Sequence, residues 1–214
     1  MKKIVIFGAT GNVGSYLTKY ANDFFNKNEY EVVAVGRRPQ ADVFAEMGVP
    51  YFSVDVTNPE DFAKLPSQNV HAVMLLAAQI PSYMKDYDGG LYLNSITMGA
   101  YNVLEWCRKV GADRVIYTQT VFDISLVAAP GKVLAPDTPP AFSYMGDHAM
   151  YVIAKNAALE IMEHYKQEYG IKKFVFRLPT IYSYSPYHYY FPNGKKTKRP
   201  VYTMIEHAMA GEPL

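Results

Sequence analysis

The 214 residues are half hydrophobic and 19% charged, enough apolar material for a sizeable core in one ordinary globular chain. Lys and Arg number 21 against 20 Asp and Glu, so a formal charge of +1 provides no broad field to attract nucleic acid or an anionic membrane. The lone cysteine, Cys107, excludes an intramolecular disulfide, and no apolar stretch approaches the roughly 18–20 residues that cross a bilayer. The opening MKKIVIFGAT lacks a secretory h-region, so a soluble, cytoplasmic protein is expected.

Short β-rich runs alternate with longer helical patterns along the chain. Strands are predicted at Lys3–Phe7, Glu31–Val35, Tyr51–Val54, Ala72–Ala77, Arg114–Thr118 and Lys173–Arg177. Between them fall helices near Val13–Asn26, Ala41–Glu46, Pro59–Lys64, Gly90–Val110 and Asp147–Tyr169. The last carries Ile153, Ala157, Ile161 and Tyr165 at a spacing of four. The strands are apolar throughout rather than alternating, the signature of a parallel sheet covered on both faces. Right-handed crossovers wind such a series into an α/β doubly wound sheet, with ligands outside the carboxyl ends of the strands. Residues 1–178 are read as this doubly wound domain. A Tyr-, Pro- and Lys-rich stretch from Leu178 to Val201 and a helix over Val201–Ala210 follow, so residues 179–214 read as the start of a small substrate-binding portion.

Gly8-Ala9-Thr10-Gly11-Asn12-Val13-Gly14 follows the first strand and opens a helix, placing small residues where backbone must turn tightly and approach a pyrophosphate. After the second strand stand Arg37 and Arg38, where an acid would otherwise accept hydrogen bonds from a ribose hydroxyl. Their forked donors suit a 2′-phosphate, which predicts NADP(H), with NAD(H) as the alternative and a plain basic turn as the bland reading. Tyr151 and Lys155 lie four apart on one helical face. A phenol titrates near 10, and a neighbouring ammonium and an oxidised nicotinamide both favour its phenolate, so Tyr151 can exchange a proton while hydride moves.

These features together resemble the extended short-chain dehydrogenase family, which includes the NAD(P)-dependent epimerases and dehydratases. Gly8–Gly14, Asp55-Val56, Asn94, Tyr117–Thr120, Tyr151–Lys155 and Arg177–Tyr182 carry the likeness in family order over nearly the whole chain. The resemblance implies a Rossmann-like fold and hydride transfer to or from a carbonyl or secondary alcohol, in a reductase or an epimerase. It makes Asp55 and Val56 adenine contacts, Leu76, Ala77 and Ala78 a small-residue loop beside the cofactor ribose, and Asn94 an organiser of the polar network. Pro179 joins the cofactor-binding set on the same ground. The family's catalytic Ser or Thr falls on Thr120, with Thr118 as the alternative and as a cofactor contact. Asp55 also reads as a helix cap, and Ala77 and Ala78 as core. Thr180, Ser183 and Ala154 depart from the pattern of sugar-nucleotide members, and Val121-Phe122 replace the acidic pair of dehydratases. Relatives continue past the helix that ends near Leu214, which implies an incomplete substrate-binding unit with a pocket open on one side.

The five histidines show no metal-ligand spacing, so no metal is predicted. His148 is read as flanking Tyr151 or as solvated. The aromatic run from Tyr182 to Phe191 reads as a pocket lining or a packed loop, and Lys195, Lys196, Lys198 and Arg199 as a solvated loop or an anion contact. A small-molecule substrate and a homodimer are the expected partners, without nucleic acid or membrane. A protein that binds NADP(H) as a sensor without catalysis is the competing reading; retention of both Tyr151 and Lys155 favours the enzyme.

Overall fold

A computed structural model describes residues 1–81, 87–146, 148–179, 181, 189–190, 196–198 and 200–213. Its centre is a six-stranded parallel sheet of order β3-β2-β1-β4-β5-β6. The strands are β1 (Lys2–Phe7), β2 (Tyr30–Gly36), β3 (Tyr51–Ser53), β4 (Val70–Leu75), β5 (Arg114–Thr120) and β6 (Lys172–Leu178). The helices are α1 (Asn12–Phe24), α2 (Asp42–Glu46), α3 (Gly89–Tyr92), α4 (Gly99–Val110) and α5 (His148–Tyr169), with 3-10 turns at Pro59–Lys64 and Val121–Ile124. The doubly wound sheet expected from the apolar runs is therefore present.

Each face of the sheet buries its own core. On one, Val5, Phe7, Val73 and Tyr117 pack with Leu104, Trp106, Ala158 and Met162 from α4 and α5; Trp106 meets Phe7 edge-on with ring centroids 5.6 Å apart. On the other, Ile4, Ile6, Val32 and Ala34 pack with Ala21 of α1 and Phe44 of α2. Strand order reverses between β1 and β4, and in such sheets ligands usually lie outside the carboxyl ends of the strands at that point.

Two elements differ from expectation. The single helix predicted over Gly90–Val110 is interrupted by a π-helical turn, Leu93–Met98, joining α3 to α4. Its wider turn carries Thr97 to α5, where Oγ1 donates to the Ala154 carbonyl at 3.1 Å. The apolar strand β6 lies at the sheet edge with Phe174, Val175 and Phe176 exposed, so one of the runs expected to be covered is not. Beyond it, β7 (Tyr189–Tyr190) and β8 (Thr197–Lys198) pair antiparallel, and α6 (Pro200–Ala210) buries none of its residues.

Candidate active site

The glycine turn is built by close approach. Gly8 has φ of +83°, and a Cβ there would lie 2.7 Å from the Ala77 nitrogen; a Cβ on Gly14 would lie 2.1 Å from the Gly8 carbonyl oxygen. Strand β1, helix α1 and the loop after β4 are thus in backbone contact, which only glycine permits at these positions. Gly8 and Ala9 both donate to the Val35 carbonyl, and Gly11 donates to Gly8. Gly11 holds the cap position of α1 and supplies no side-chain bond to its first amides. Asn12 and Val13 open the helix behind it, and Asn12 Nδ2 reaches the Ile181 carbonyl at 3.1 Å. A backbone cradle whose sides would be filled by any Cβ, at the head of a helix, fits the pyrophosphate of a dinucleotide.

The arginines lie beside this cradle. A Cβ on Gly36, the last residue of β2, would meet the Thr10 side chain at 2.9 Å, so Arg37 and Arg38 emerge next to the turn. Arg37 is exposed and forms no ion pair among the described residues, whereas the Arg38 carbonyl accepts from the Tyr51 hydroxyl at 2.6 Å. Asp55 folds its own loop, with Oδ1 accepting from the amide and the hydroxyl of Thr57; Asn58, not Asp55, caps the following turn. Val56 is buried against α4 and half-buried Leu76, Ala77 and Ala78 follow the end of β4. Asn94 stands apart. It is exposed with Thr57, Pro59, Met98 and Asn102 around a shallow depression of about 370 Å³. The residue of this helix that meets Tyr151 is Tyr92, at 6.1 Å between ring centroids.

At the end of β5, the Thr120 side chain lies beside the Tyr151 phenol and favours its ionised form. Thr120 Oγ1 accepts from the Phe122 amide at 3.3 Å. Strand pairing with β6 includes both Thr118–Phe176 and Thr120–Leu178, and Thr118 contributes its carbonyl to the site. That carbonyl accepts from Lys155 Nζ at 2.6 Å. Gln119, unnoticed in the sequence, is 2% exposed; it accepts from the Thr120 amide and donates to Asn156 Oδ1 at 2.8 Å, tying strand to helix. Pro179 is exposed just past β6. His148 stacks on Phe122 with ring centroids 4.5 Å apart, three residues before Tyr151.

Burial governs the ionisation of both central groups. It pushes the Tyr151 phenol up to about 12, opposed by the Thr120 side chain and assisted by Tyr92. It pushes the Lys155 amine down to about 7. The Lys155 ammonium does not lower the phenol here, contrary to the sequence expectation, because the amine sits 5.9 Å from that ring and points at Thr118. At neutral pH the phenol therefore holds its proton.

A family model described as the NAD dependent epimerase/dehydratase family matches residues 4–214. The chain belongs to that family. NAD dependent epimerases and dehydratases are enzymes, and solved members share the fold described above. The chain matches the UDP-glucose 4-epimerase of Thermotoga maritima, with UDP-glucose, at TM-score 0.75 and 20% identity over 99% of this chain and 64% of that one. It matches the Thermus thermophilus UDP-glucose 4-epimerase complex with NAD at TM-score 0.71 and 21% identity, over 99% and 64%. A UDP-galactose 4-epimerase matches at 0.68 and 19%, over 82% of this chain and 55% of that one. The chain thus spans 55–64% of the length of these epimerases. No curated protein matches it. Thr180, Tyr182, Ser183, the aromatic residues to His188, Phe191, Lys195 and Arg199 lie outside the described residues. Among the described residues, no helix is long and apolar enough to cross a membrane.

Proposed function

We propose that this family member moves hydride between NADP(H) or NAD(H) and a carbonyl or secondary alcohol, with Tyr151 as the proton-exchanging group. The observation that carries this reading is the Thr120 side chain beside the buried Tyr151 phenol at the carboxyl end of β5, with Lys155 one helical turn away. When bound, the dinucleotide supplies or accepts the hydride. The cradle from Gly8 to Gly14 would hold its pyrophosphate, and Lys155 would hold its ribose. Thr120 orients the substrate oxygen. In reduction Tyr151 would donate its phenolic proton to that oxygen, and burial keeps that proton on the phenol at neutral pH. The reverse step returns the proton to Tyr151, so one constellation serves a reductase or, through oxidation and re-reduction, an epimerase. Sugar nucleotides belong among the substrates to be tried because solved neighbours act on them.

The test is oxidation of NADPH and NADH against sugar nucleotides, aldehydes and ketones. Tyr151→Phe is expected to lower turnover about 10²- to 10⁴-fold while dinucleotide binding survives, and Lys155→Ala to weaken both. Wild-type turnover in the Phe variant would remove Tyr151 from the chemistry.

Preference for NADP(H) is supported by Arg37 and Arg38 at the end of β2, where no acid is present to meet a free 2′-hydroxyl. A charged hydrogen bond contributes about 1.5–3 kcal/mol, or about tenfold to 150-fold in affinity. Calorimetric titration should show NADPH binding tighter by that margin, with the advantage lost in Arg37→Ala/Arg38→Ala and reduced in high salt. Equal affinities for the two dinucleotides in the wild type would overturn the preference.

A further inference from the structure

Lys155 is 3% exposed and has no carboxylate partner among the described residues. One of its three donors is satisfied by the Thr118 carbonyl. What lies beneath the nitrogen is the Tyr117 ring, whose centroid is 4.6 Å from Nζ, against 5.9 Å for the Tyr151 ring. Tyr117 and Thr118 are neighbours on β5, and their side chains leave opposite faces of the sheet. The amine is therefore held between a backbone carbonyl and the aromatic face one residue before it. Tyr117 is 1% exposed, and its hydroxyl is buried without a hydrogen-bond partner. The hydroxyl makes no use of this position, but the ring face does.

We infer that Tyr117 is a positioning residue for Lys155, its π face standing in for the missing counter-ion and keeping a buried ammonium where the cofactor ribose would lie. The inference rests on the reading of Lys155 as the site's working amine, but its test measures the amine itself. A cation over an aromatic ring in a desolvated site is attracted electrostatically by the ring quadrupole, and more strongly than at the surface. The titratable groups around the amine are the phenols of Tyr117 and Tyr151, and both are held protonated by burial, so neither supplies negative charge. The ring and the Thr118 carbonyl are then the two features that oppose the desolvation driving Lys155 towards its neutral form.

The experiment is a titration of the Lys155 side-chain NMR resonance in the full chain, assigned by its loss in Lys155→Met. Tyr117→Phe keeps the ring and should titrate as the wild type does. Tyr117→Leu removes it and should lower the midpoint by about half to one and a half pH units. Because Leu at a packed position can unfold the chain, phenylalanines with increasing fluorine substitution at position 117 provide the same test at nearly constant shape. The midpoint should fall stepwise as fluorine drains the ring face. A midpoint that stays put along the fluorine series, or that falls equally in Tyr117→Phe, overturns the proposal. Turnover of the Tyr151→Phe variant is a separate readout, so failure of the hydride-transfer reading and failure of this one are distinguishable.

Discussion

Asp123 has no exposed surface, and its two carboxylate oxygens fare differently: Oδ2 accepts from Arg177 Nε at 3.0 Å, while Oδ1 has no hydrogen-bond partner. The same guanidinium donates to the Pro136 and Thr138 carbonyls, so Arg177 fastens the segment between β5 and α5 to strand β6. Burial raises the Asp123 carboxyl above its ordinary range, with Arg177 opposing. A carboxyl raised in the folded state contributes stability that is complete below its unfolded value and is lost as pH rises through its folded one. Arg177→Ala removes the opposing charge and moves that loss to higher pH. The variant should lose about 3–5 kcal/mol at pH 7, the cost of leaving a buried charge unpaired, and less at pH 5. Adding Asp123→Asn should restore most of the loss at pH 7. Denaturant unfolding of the two variants at both pH values measures this, and equal losses at pH 5 and pH 7 would contradict it.

Among the elements, the glycine turn was readable because its requirement is local: three small residues between an apolar strand and a helix. The structure adds how unequal glycines are. Gly14 has no room for a Cβ because the Gly8 carbonyl oxygen stands 2.1 Å from where it would be; Gly111, which ends α4 with φ of +68°, has nothing within 4 Å. Gly14→Ala should force α1 away from β1, costing about 1–3 kcal/mol as overpacking does and abolishing dinucleotide binding. Gly111→Ala should cost about 1 kcal/mol of backbone strain and leave binding intact. Thermal unfolding with NADPH titration separates them, and unchanged affinity in Gly14→Ala would show that the cradle is not where the pyrophosphate sits. What escaped the sequence shares a different origin. The π-helical turn hides because apolar residues recurring every three or four positions tolerate one inserted residue. Gln119 with Asn156, and Lys155 with Thr118, are partners 37 residues apart that no local pattern announces.

At the scale of the whole molecule, the sheet and α5 together enclose a lysine that a merely stable protein would not keep. Burial lowers the Lys155 amine from 10.5 to about 7, so the folded state resists the charged form that the unfolded chain carries freely. A group depressed in this way contributes stability present above its unfolded value and lost as pH falls through its folded one. The wild type should therefore gain stability between pH 7 and the alkaline range by up to about 1.4 kcal/mol per pH unit from this residue. Lys155→Met keeps the length and apolar stem while removing the ammonium. It should be more stable than the wild type at pH 6, on the order of a few kcal/mol, with the advantage shrinking steadily towards pH 9.5. Turnover should be lost at every pH. A stabilised, inactive variant is what a site held at the expense of the fold produces, because the same desolvation that weakens the core at Lys155 makes its amine responsive to whatever binds there. Denaturant unfolding of both proteins from pH 6 to 9.5 draws the two curves, and the ionisation of tyrosines common to both cancels in their difference. Parallel curves would mean that Lys155 is solvated in solution and that neither its perturbed proton affinity nor its hold on Thr118 exists.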